Sequence, residues 1–202
     1  MHFVRPIFFL PYVYNKSIWR KEKKKNNIYL TFDDGPIPEL TPWVLDILKE
    51  RNIKATFFCV GENIVKHSEI FERIKNEGHA VGNHTHNHLK GWATSDEAYL
   101  QNVKACQELT QTDLFRPPYG RATRSQLRHL AKTHRIIMWD VLTGDYDSTI
   151  SPDQVYKNAV DYVRNGSIIV FHDNIKAKEN LQYALPKSLD ELLARGFRFD
   201  LF

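Results

Sequence analysis

The stretch IYLTFDDGP, residues 28–36, decides how the rest of the chain is interpreted. Its aliphatic, β-branched and aromatic residues predict a buried strand that ends in two carboxylates, Asp33 and Asp34. Adjacent side chains of a regular strand point to opposite faces, so two neighbouring acids in a strand would not share a site. Gly35 tolerates unusual backbone angles, and Pro36 cannot continue a β-ladder. We therefore predict that the strand ends at or within the pair, where both carboxylates can face one point.

A strand followed by a helix is the pattern that recurs along the chain. Short apolar runs alternate with amphipathic stretches, and Gly78 and Gly196 stand where a helix should end before the next strand. This alternation predicts parallel strands with helices outside, in a barrel or a doubly wound sheet. Thr41 is expected to cap the first helix, with proline at its first position. The predicted strands are Ile28–Phe32, Ala55–Val60, His79–Gly82, Leu114–Arg116, Ile136–Asp140, Ser167–Phe171 and Phe197–Phe199, and the further helices cover about 68–77, 96–110, 123–134, 152–165 and 178–195.

Polar and ionisable side chains follow five of the predicted strands. In a parallel barrel the carboxyl ends of the strands meet at one face, where reactive side chains collect. We therefore expect these groups to form one site. They are Asp33 with Asp34, the histidine-rich segment 83–88, the segment 116–120, Asp140 with Asp145, and His172 with Asp173.

The histidine-rich segment predicts a metal site. His84 and His88 are four residues apart, a spacing that brings both imidazoles to one side of a helical turn. Two imidazoles and one carboxylate form a three-ligand set with open positions, which suits Zn²⁺ or another divalent transition metal. His86 would share a face with His84 only in an extended segment, so it is not predicted as a ligand.

Two further side chains are candidates for the chemistry. Arg116 precedes Pro117 and Pro118, which restrict the backbone and can fix its direction. A guanidinium opposite a carboxylate would keep that carboxylate ionised and oriented. His172 ends an apolar strand, where a role in proton transfer competes with that of a hydrogen-bonded core histidine.

The order of these motifs resembles that of one family. TFDDGP, HTHNH, RPPYG, an aspartate-rich segment and VFHD follow one another as in the NodB-homology polysaccharide deacetylases, carbohydrate esterase family 4, over about residues 28–199. The resemblance implies an α/β fold, a distorted (β/α) barrel with seven or eight strands. It also implies a metal-dependent hydrolase of carbon–nitrogen bonds other than peptide bonds, which removes N-acetyl groups from N-acetylglucosamine-type residues of a polysaccharide or oligosaccharide.

The resemblance assigns the metal site residue by residue. Asp33 matches the general base of the family, and Asp34 matches its metal-binding carboxylate. His84 and His88 match the two metal-binding histidines of the H-[ST]-x-x-H motif. We expect one divalent transition metal ion, Zn²⁺ before Co²⁺, Ni²⁺ or Mn²⁺, which would activate the attacking water.

The remaining assignments concern groups around the reacting centre. Arg116 resembles the arginine that orients the base, and Tyr119 the residue whose backbone N–H faces the oxyanion. His172 resembles the general acid, and Asp145 the aspartate that holds it. Asp140 lies close by in sequence, so the choice of Asp145 or Asp140 as the partner of His172 stays open.

The chain departs from the family pattern in two places. Asp145-Tyr146 stands where the family usually has Asp-Trp, which changes an aromatic wall of the sugar groove. Val170-Phe171-His172 replaces Leu-x-His, which changes packing and leaves the histidine in place.

Length and charge restrict the class of protein. A chain of 202 residues with a net charge of +4 predicts one globular domain, and no basic and aromatic module for nucleic acid is present. The basic run 20–25 is either a solvated connector or a peripheral contact to an anionic surface. Cys59 and Cys106 lack a metal-binding spacing, and Cys59 is expected to be a buried thiol.

The N-terminal part is expected to pack on the main domain. Residues 1–27 are interpreted as an extension, strand or extended segment, and residues 28–202 as the deacetylase domain. Arg5, Pro6 and Pro11 interrupt its apolar character, so it predicts neither a membrane span nor a good signal peptide. The pattern suits a cytoplasmic or membrane-associated protein, whereas the inferred substrate suits the cell envelope.

Two alternatives to glycan deacetylation stay open. The same site could serve a C–N hydrolase that acts on a small non-glycan amide or formamide, because substrate specificity depends on loops. A non-catalytic, metal-stabilised glycan-binding protein would be expected to lack Asp33, Arg116 or His172, and all three are present. The sugar, the metal and the oligomeric state are not determined by the sequence.

Overall fold

The computed structural model describes residues 4–21 and 26–202. Strands and helices alternate through most of this chain, as the sequence predicts. The strands are β1 Ser17–Ile18, β2 Asn27–Asp33, β3 Thr56–Cys59, β4 Ala80–Asn83, β5 Leu114–Phe115, β6 Arg135–Ile137, β7 Val141–Leu142, β8 Ile168–His172 and β9 Arg198–Phe199. The helices are α1 Leu10–Val13, α2 Thr41–Glu50, α3 Gly61–Lys66, α4 Ser68–Asn76, α5 Asp96–Thr110, α6 Arg124–Leu130, α7 Pro152–Asp161 and α8 Lys178–Ala194.

The strands form one parallel sheet that curves into a barrel. Eight strands follow the order β1-β6-β5-β4-β3-β2-β8-β7, and β9 pairs with the start of β2. The central strand β2 pairs in parallel with β3 and β8, so that Asp33 lies in register with Phe58 and His172. The predicted barrel with seven or eight strands is therefore confirmed, and its register brings the first and last polar motifs together.

The N-terminal segment bonds to both ends of this sheet. Ser17–Ile18 pairs in parallel with β6, and the carbonyl of Val4 accepts a hydrogen bond from the N–H of Leu142 in β7, 2.8 Å away. Tyr14 and Trp19 are buried in a hydrophobic cluster with residues of α5, β5, α6 and β6. The segment contains the strand β1 and also the short helix α1, so the prediction of a strand or extended segment fits Ser17–Ile18 but not Leu10–Val13.

The core occupies the layers on either side of the central strands. β2, β3 and β8 are buried on both faces, as expected for parallel strands covered by helices. Phe32, Phe57 and Phe171 stack across these strands with ring centroids 5.0 and 6.2 Å apart. Cys59 and Cys106 are both buried and free, as expected for Cys59.

Several element boundaries differ from the sequence-based expectation. Helix α2 begins at Thr41 with Leu40 in the cap position, so the predicted capping role of Thr41 is wrong. The Thr41 hydroxyl instead donates to the carboxylate of Asp173, 2.5 Å away. Helices α1 and α3 and the two-residue strand β7 were not predicted, because such short elements carry too few residues for a periodic pattern.

The described helices and the basic run 20–25 are the two features that bear on membrane contact. Across residues 4–21 and 26–202, every helix is too short or too polar to cross a bilayer. Most of the basic run 20–25 lies outside the described residues.

Candidate active site

The acidic pair lies at the point where the central strand ends. Asp33 is the last residue of β2, and Asp34 follows it with a left-handed backbone, φ 87°. The predicted end of the strand within the pair is confirmed, and the backbone turn brings both carboxylates to one cleft. The unusual angle belongs to Asp34, however, and the expectation that Gly35 would provide it is wrong.

Gly35 is required for a different reason, which is the close approach of Asp173. A Cβ atom at Gly35 would lie 2.0 Å from Asp173 Oδ2, so no larger residue fits there without displacing the carboxyl. Asp173 is buried and accepts hydrogen bonds from the Gly35 N–H and the Thr41 hydroxyl. Burial raises the pKa of Asp173 to about 8. Asp173 thus supports the turn that presents the acidic pair, a role that the sequence did not predict.

The two histidines meet without a helical turn. The segment after β4 is a loop in which Thr85 and His88 have left-handed φ values of 64° and 54°. This loop brings the rings of His84 and His88 to 5.1 Å between centroids. The prediction that the two imidazoles meet agrees with the structure, but the helical geometry assumed for them is wrong. His86 turns away and lies against Gly61, where a Cβ would be 2.4 Å from its Nδ1.

Asp34, His84 and His88 can hold a metal ion together. One potential ligand atom from each residue lies within 4.8 Å of the other two. His84 Nδ1 is 2.8 Å from the Arg116 carbonyl, which can only accept, so Nδ1 carries the hydrogen and Nε2 keeps its lone pair. His84 Nε2, which carries this lone pair, lies 3.5 Å from Asp34 Oδ1. Two electron-rich atoms at this distance fit a cation between them.

The Asp34 carboxylate shows the same fit. Its Oδ2 accepts from Asn174 Nδ2, and the Asp34 carbonyl accepts from Asn63 Nδ2. Its Oδ1 is buried and has no hydrogen-bond partner among the described residues, although His88 Nε2 lies 3.0 Å away. The side chain is therefore a fixed carboxylate with one oxygen free.

Arg116 fixes the other carboxylate. It is fully buried, and its Nη1 donates to Asp33 Oδ1 and to the Thr31 hydroxyl. Its remaining nitrogens donate to the carbonyls of Ile137 and Met138 in and after β6. The guanidinium is thus held by β2, by β6 and by Met138, the residue that follows β6, and the expected contact between Arg116 and Asp33 is present in the structure.

His172 is held by Asp145. Its Nδ1 is 2.8 Å from Asp145 Oδ1, and its backbone N–H donates to Asp145 Oδ2. Burial alone would lower the pKa of His172, but the Asp145 carboxylate overrides this and raises the pKa to about 9. Asp140 instead bonds Arg164 and Ser167, which removes it from this role. The geometry thus decides a choice that sequence proximity left open.

These groups line or support one cleft of about 590 Å³, within the usual range for ligand pockets. Asp33, Asp34, His84, His88, Tyr119 and His172 line it, while Arg116 and Asp145 stand behind their partners. Tyr119 has a left-handed backbone, φ 58°, and its ring contacts His88 with centroids 4.7 Å apart. All eight residues predicted for the site are therefore assembled around the same space.

Sequence reasoning missed several residues of the cleft. Asn174 follows directly after VFHD, and its position next to a predicted site was the one available signal. Trp139 and Leu142 come from the region after β6, where the predicted strand ran on to Asp140 and concealed the separate strand β7. Nothing in the sequence placed these two residues in the cleft, because their position depends on how the chain passes from β6 at one side of the sheet to β7 at the other.

Comparison with known proteins agrees with the geometry. The sequence profile of the polysaccharide deacetylase family matches residues 20–136. A peptidoglycan-N-acetylglucosamine deacetylase of Bacillus cereus is 36% identical over 183 residues, and the alignment covers 87% of this chain and 66% of the relative. A chitooligosaccharide deacetylase of Azorhizobium caulinodans is 30% identical, with 88% and 93% of the two chains covered.

A solved structure extends the likeness to three dimensions. The crystal structure of the Bc1960 peptidoglycan N-acetylglucosamine deacetylase superposes on this chain with a TM-score of 0.88 at 33% sequence identity. The superposition covers 94% of this chain and 92% of the Bc1960 chain. The enzyme class predicted from the sequence is confirmed at the level of the family, because these relatives are deacetylases and thus hydrolases of carbon–nitrogen bonds. On the profile match, the identities and the shared fold, this chain belongs to the polysaccharide deacetylase family.

Proposed function

We propose that the chain is a metal-dependent N-deacetylase that releases acetate from N-acetylglucosamine residues of a glycan. The observation that carries this proposal is the convergence of three units in one cleft. They are the ligand set Asp34, His84 and His88, the ion pair of Asp33 with Arg116, and the pair of His172 with Asp145. The named substrates of the relatives, peptidoglycan and chitooligosaccharides, support a glycan.

Asp34, His84 and His88 would hold the metal ion. When bound there, a divalent cation supplies a Lewis acid that polarises a carbonyl oxygen and lowers the pKa of a coordinated water. The donor set of two nitrogens and one oxygen suits Zn²⁺ and the neighbouring transition metals better than Mg²⁺ or Ca²⁺.

Asp33 would act as the general base. Its Oδ1 is occupied by the Arg116 guanidinium, which keeps the carboxylate oriented and leaves Oδ2 to accept the proton of the attacking water. The backbone N–H of Tyr119 would stabilise the oxyanion that forms when the water adds to the acetyl carbonyl.

His172 would act as the general acid. Because its Nδ1 is bonded to Asp145, the Nε2–H is the proton that can pass to the departing sugar nitrogen. An amine leaves poorly unless it is protonated, so this transfer is needed for the C–N bond to break. The raised pKa of His172, about 9, keeps it protonated at neutral pH before the reaction.

Acetate release from N-acetylglucosamine oligomers tests the function, with metal-loaded, chelator-stripped and metal-restored protein compared in parallel. We expect activity that is lost on chelation and restored by metal. A panel of small amides and formamides is assayed beside the oligomers. Turnover of the small amides or formamides without turnover of the oligomers would favour the alternative, a C–N hydrolase of small non-glycan substrates. No turnover of any substrate by metal-loaded protein would contradict the proposal.

Two variants separate the roles of the acidic pair. Asp33→Asn should retain the metal and lose activity by about 10²–10⁴-fold, the usual contribution of a general base. Asp34→Asn should lose metal first, as measured by metal content after dialysis, and activity as a consequence. Normal metal content in Asp34→Asn together with metal loss in Asp33→Asn would show that the two roles are reversed.

A further inference from the structure

Asp34 is held at every polar atom except one carboxylate oxygen. Its backbone N–H donates to the Phe58 carbonyl, and its own carbonyl accepts a hydrogen bond from Asn63 Nδ2. Its Oδ2 accepts a hydrogen bond from Asn174 Nδ2. The remaining oxygen, Oδ1, is buried and has no hydrogen-bond partner in residues 4–21 and 26–202. A metal ion would therefore meet this carboxylate at Oδ1.

The two imidazoles of the ligand set face the same oxygen. His84 Nε2 lies 3.5 Å from Asp34 Oδ1, and His88 Nε2 lies 3.0 Å from it. One candidate ligand atom from each of the three residues lies within 4.8 Å of the other two. The two oxygens of Asp34 thus have different surroundings, because Oδ1 faces the imidazoles and Oδ2 is bonded to Asn174.

The Asn174 side chain is fixed at both ends of its amide. Its Oδ1 accepts a hydrogen bond from the Ala177 N–H, 3.0 Å away, and so caps the short 3₁₀ helix Ile175–Ala177. This short helix leads directly into α8. A backbone N–H can only donate, so the side-chain oxygen of Asn174 must face Ala177 and the amide nitrogen must face Asp34. The amide therefore cannot rotate without losing both bonds.

The contact continues the pairing of β2 with β8 beyond the last register pair of the two strands. The Asp173 N–H donates to the Asp33 carbonyl, and the Asp173 carboxylate accepts from the Gly35 N–H. Asn174 is the next residue along the chain, and it bonds the side chain of Asp34. The two strand ends are thus joined by successive hydrogen bonds, which place the Asn174 amide on the carboxylate.

We propose that Asn174 is a positioning residue that makes Asp34 a metal ligand through one oxygen. A carboxylate can bind a metal ion through one oxygen or through both. Coordination through both oxygens of Asp34 would compete with the hydrogen bond from Asn174, so this bond favours coordination through Oδ1 alone. One-oxygen coordination leaves more positions on the ion for water and substrate. The inference rests on the proposed function and extends it to a residue outside the ligand set.

Two substitutions separate this role from the capping of the 3₁₀ helix. Serine is as good a cap as asparagine, but its hydroxyl is shorter and lacks the amide donor, whereas alanine removes both the cap and the donor. Asn174→Ser and Asn174→Ala should therefore both bind Zn²⁺ about 10–100-fold more weakly than the wild type, the usual loss when an outer partner of a metal ligand is removed. Competition with a chromogenic chelator measures the dissociation constant.

Ser151→Ala is the matched control for the loss of a cap. The Ser151 hydroxyl accepts from the Gln154 N–H at the start of α7, and neither residue lines the cleft. This variant should bind Zn²⁺ as the wild type does. In protein loaded with Co²⁺, the visible absorption spectrum reports the coordination geometry of the ion. The spectrum should change in both Asn174 variants and remain that of the wild type in Ser151→Ala, because a loss of stability alone does not alter the ligands.

The outcomes separate this inference from the function on which it rests. Wild-type affinity for Zn²⁺ and an unchanged Co²⁺ spectrum in Asn174→Ser would overturn the inference, even with weaker binding in Asn174→Ala, because the cap would then explain the whole effect. The deacetylase function would stand in that case, since it depends on the metal and not on Asn174. Failure of the wild-type protein to bind either Zn²⁺ or Co²⁺ would overturn the proposed metal-dependent function and this inference with it.

Discussion

Replacing Arg116 by methionine tests whether the buried ion pair organises the site. The substitution keeps a long apolar stem but removes the four hydrogen bonds that the guanidinium donates, to Thr31, Asp33, Ile137 and Met138. It also leaves the Asp33 carboxylate buried without its cation. Breaking one side of a buried pair costs about 3–5 kcal/mol, and the carbonyls left unsatisfied add to this. We therefore expect Arg116→Met to lower the free energy of unfolding by at least about 3 kcal/mol.

A double-mutant cycle separates the ion pair from the other contacts of Arg116. Asp33→Asn removes the charge that would be left unpaired, so the double variant should be less destabilised than the sum of the single variants, by about 1–3 kcal/mol. Urea unfolding followed by tryptophan fluorescence gives these values, with chelator present so that metal binding does not enter. Arg135→Met, which breaks an exposed pair with Asp113, is the control and should cost less than about 1 kcal/mol. A cost for Arg116→Met equal to that control, or strictly additive single costs, would refute the reasoning.

Three further expectations concern acid strength, turn geometry and pH. Asp145→Asn should shift the basic limb of the kcat/KM–pH profile to lower pH by at least about one unit, because the carboxylate that raises the pKa of His172 is lost. An unchanged basic limb would contradict the pairing of His172 with Asp145. Gly35→Ala should cost about 1–3 kcal/mol in urea unfolding and reduce metal content, since its Cβ would overlap the Asp173 carboxyl; unchanged values would show that the turn can adjust. Burial lowers the pKa of His79 from 6.5 to about 4, so at mildly acidic pH the unfolded chain binds more protons than the folded chain. The free energy of unfolding should therefore fall by about 1 kcal/mol as the pH is lowered from 7 to 5.5. His79→Asn should lack this part of the pH dependence of unfolding.

The identity of the site residues was accessible from the sequence because each motif follows a strand. In a parallel barrel the carboxyl ends of all strands face the same way, so residues far apart in the chain converge without any knowledge of loop structure. Asp33 and His172 illustrate this, since they are neighbours in register although 139 positions separate them. The family resemblance then supplied roles that spacing alone could not.

The local geometry was less accessible. A spacing of four residues suggests a helical turn, yet His84 and His88 meet across a loop with two left-handed residues. Such loop conformations depend on contacts with other segments, such as the hydrogen bonds that the Asn102 side chain accepts from the backbone of this loop. Periodicity describes regular elements, and it carries no information about a backbone held by distant side chains.

The sequence by itself determined the strand–helix alternation, and its family resemblance selected the barrel over a doubly wound sheet and completed the set of eight candidate residues. Tertiary structure alone decided that Asp145 rather than Asp140 holds His172, that Gly35 is needed to admit Asp173, and that the N-terminal segment bonds both ends of the sheet. The physical reason is the same in each case. Hydrophobic periodicity is written along the chain, whereas the partner of a buried polar group depends on which segments the fold brings within hydrogen-bonding distance.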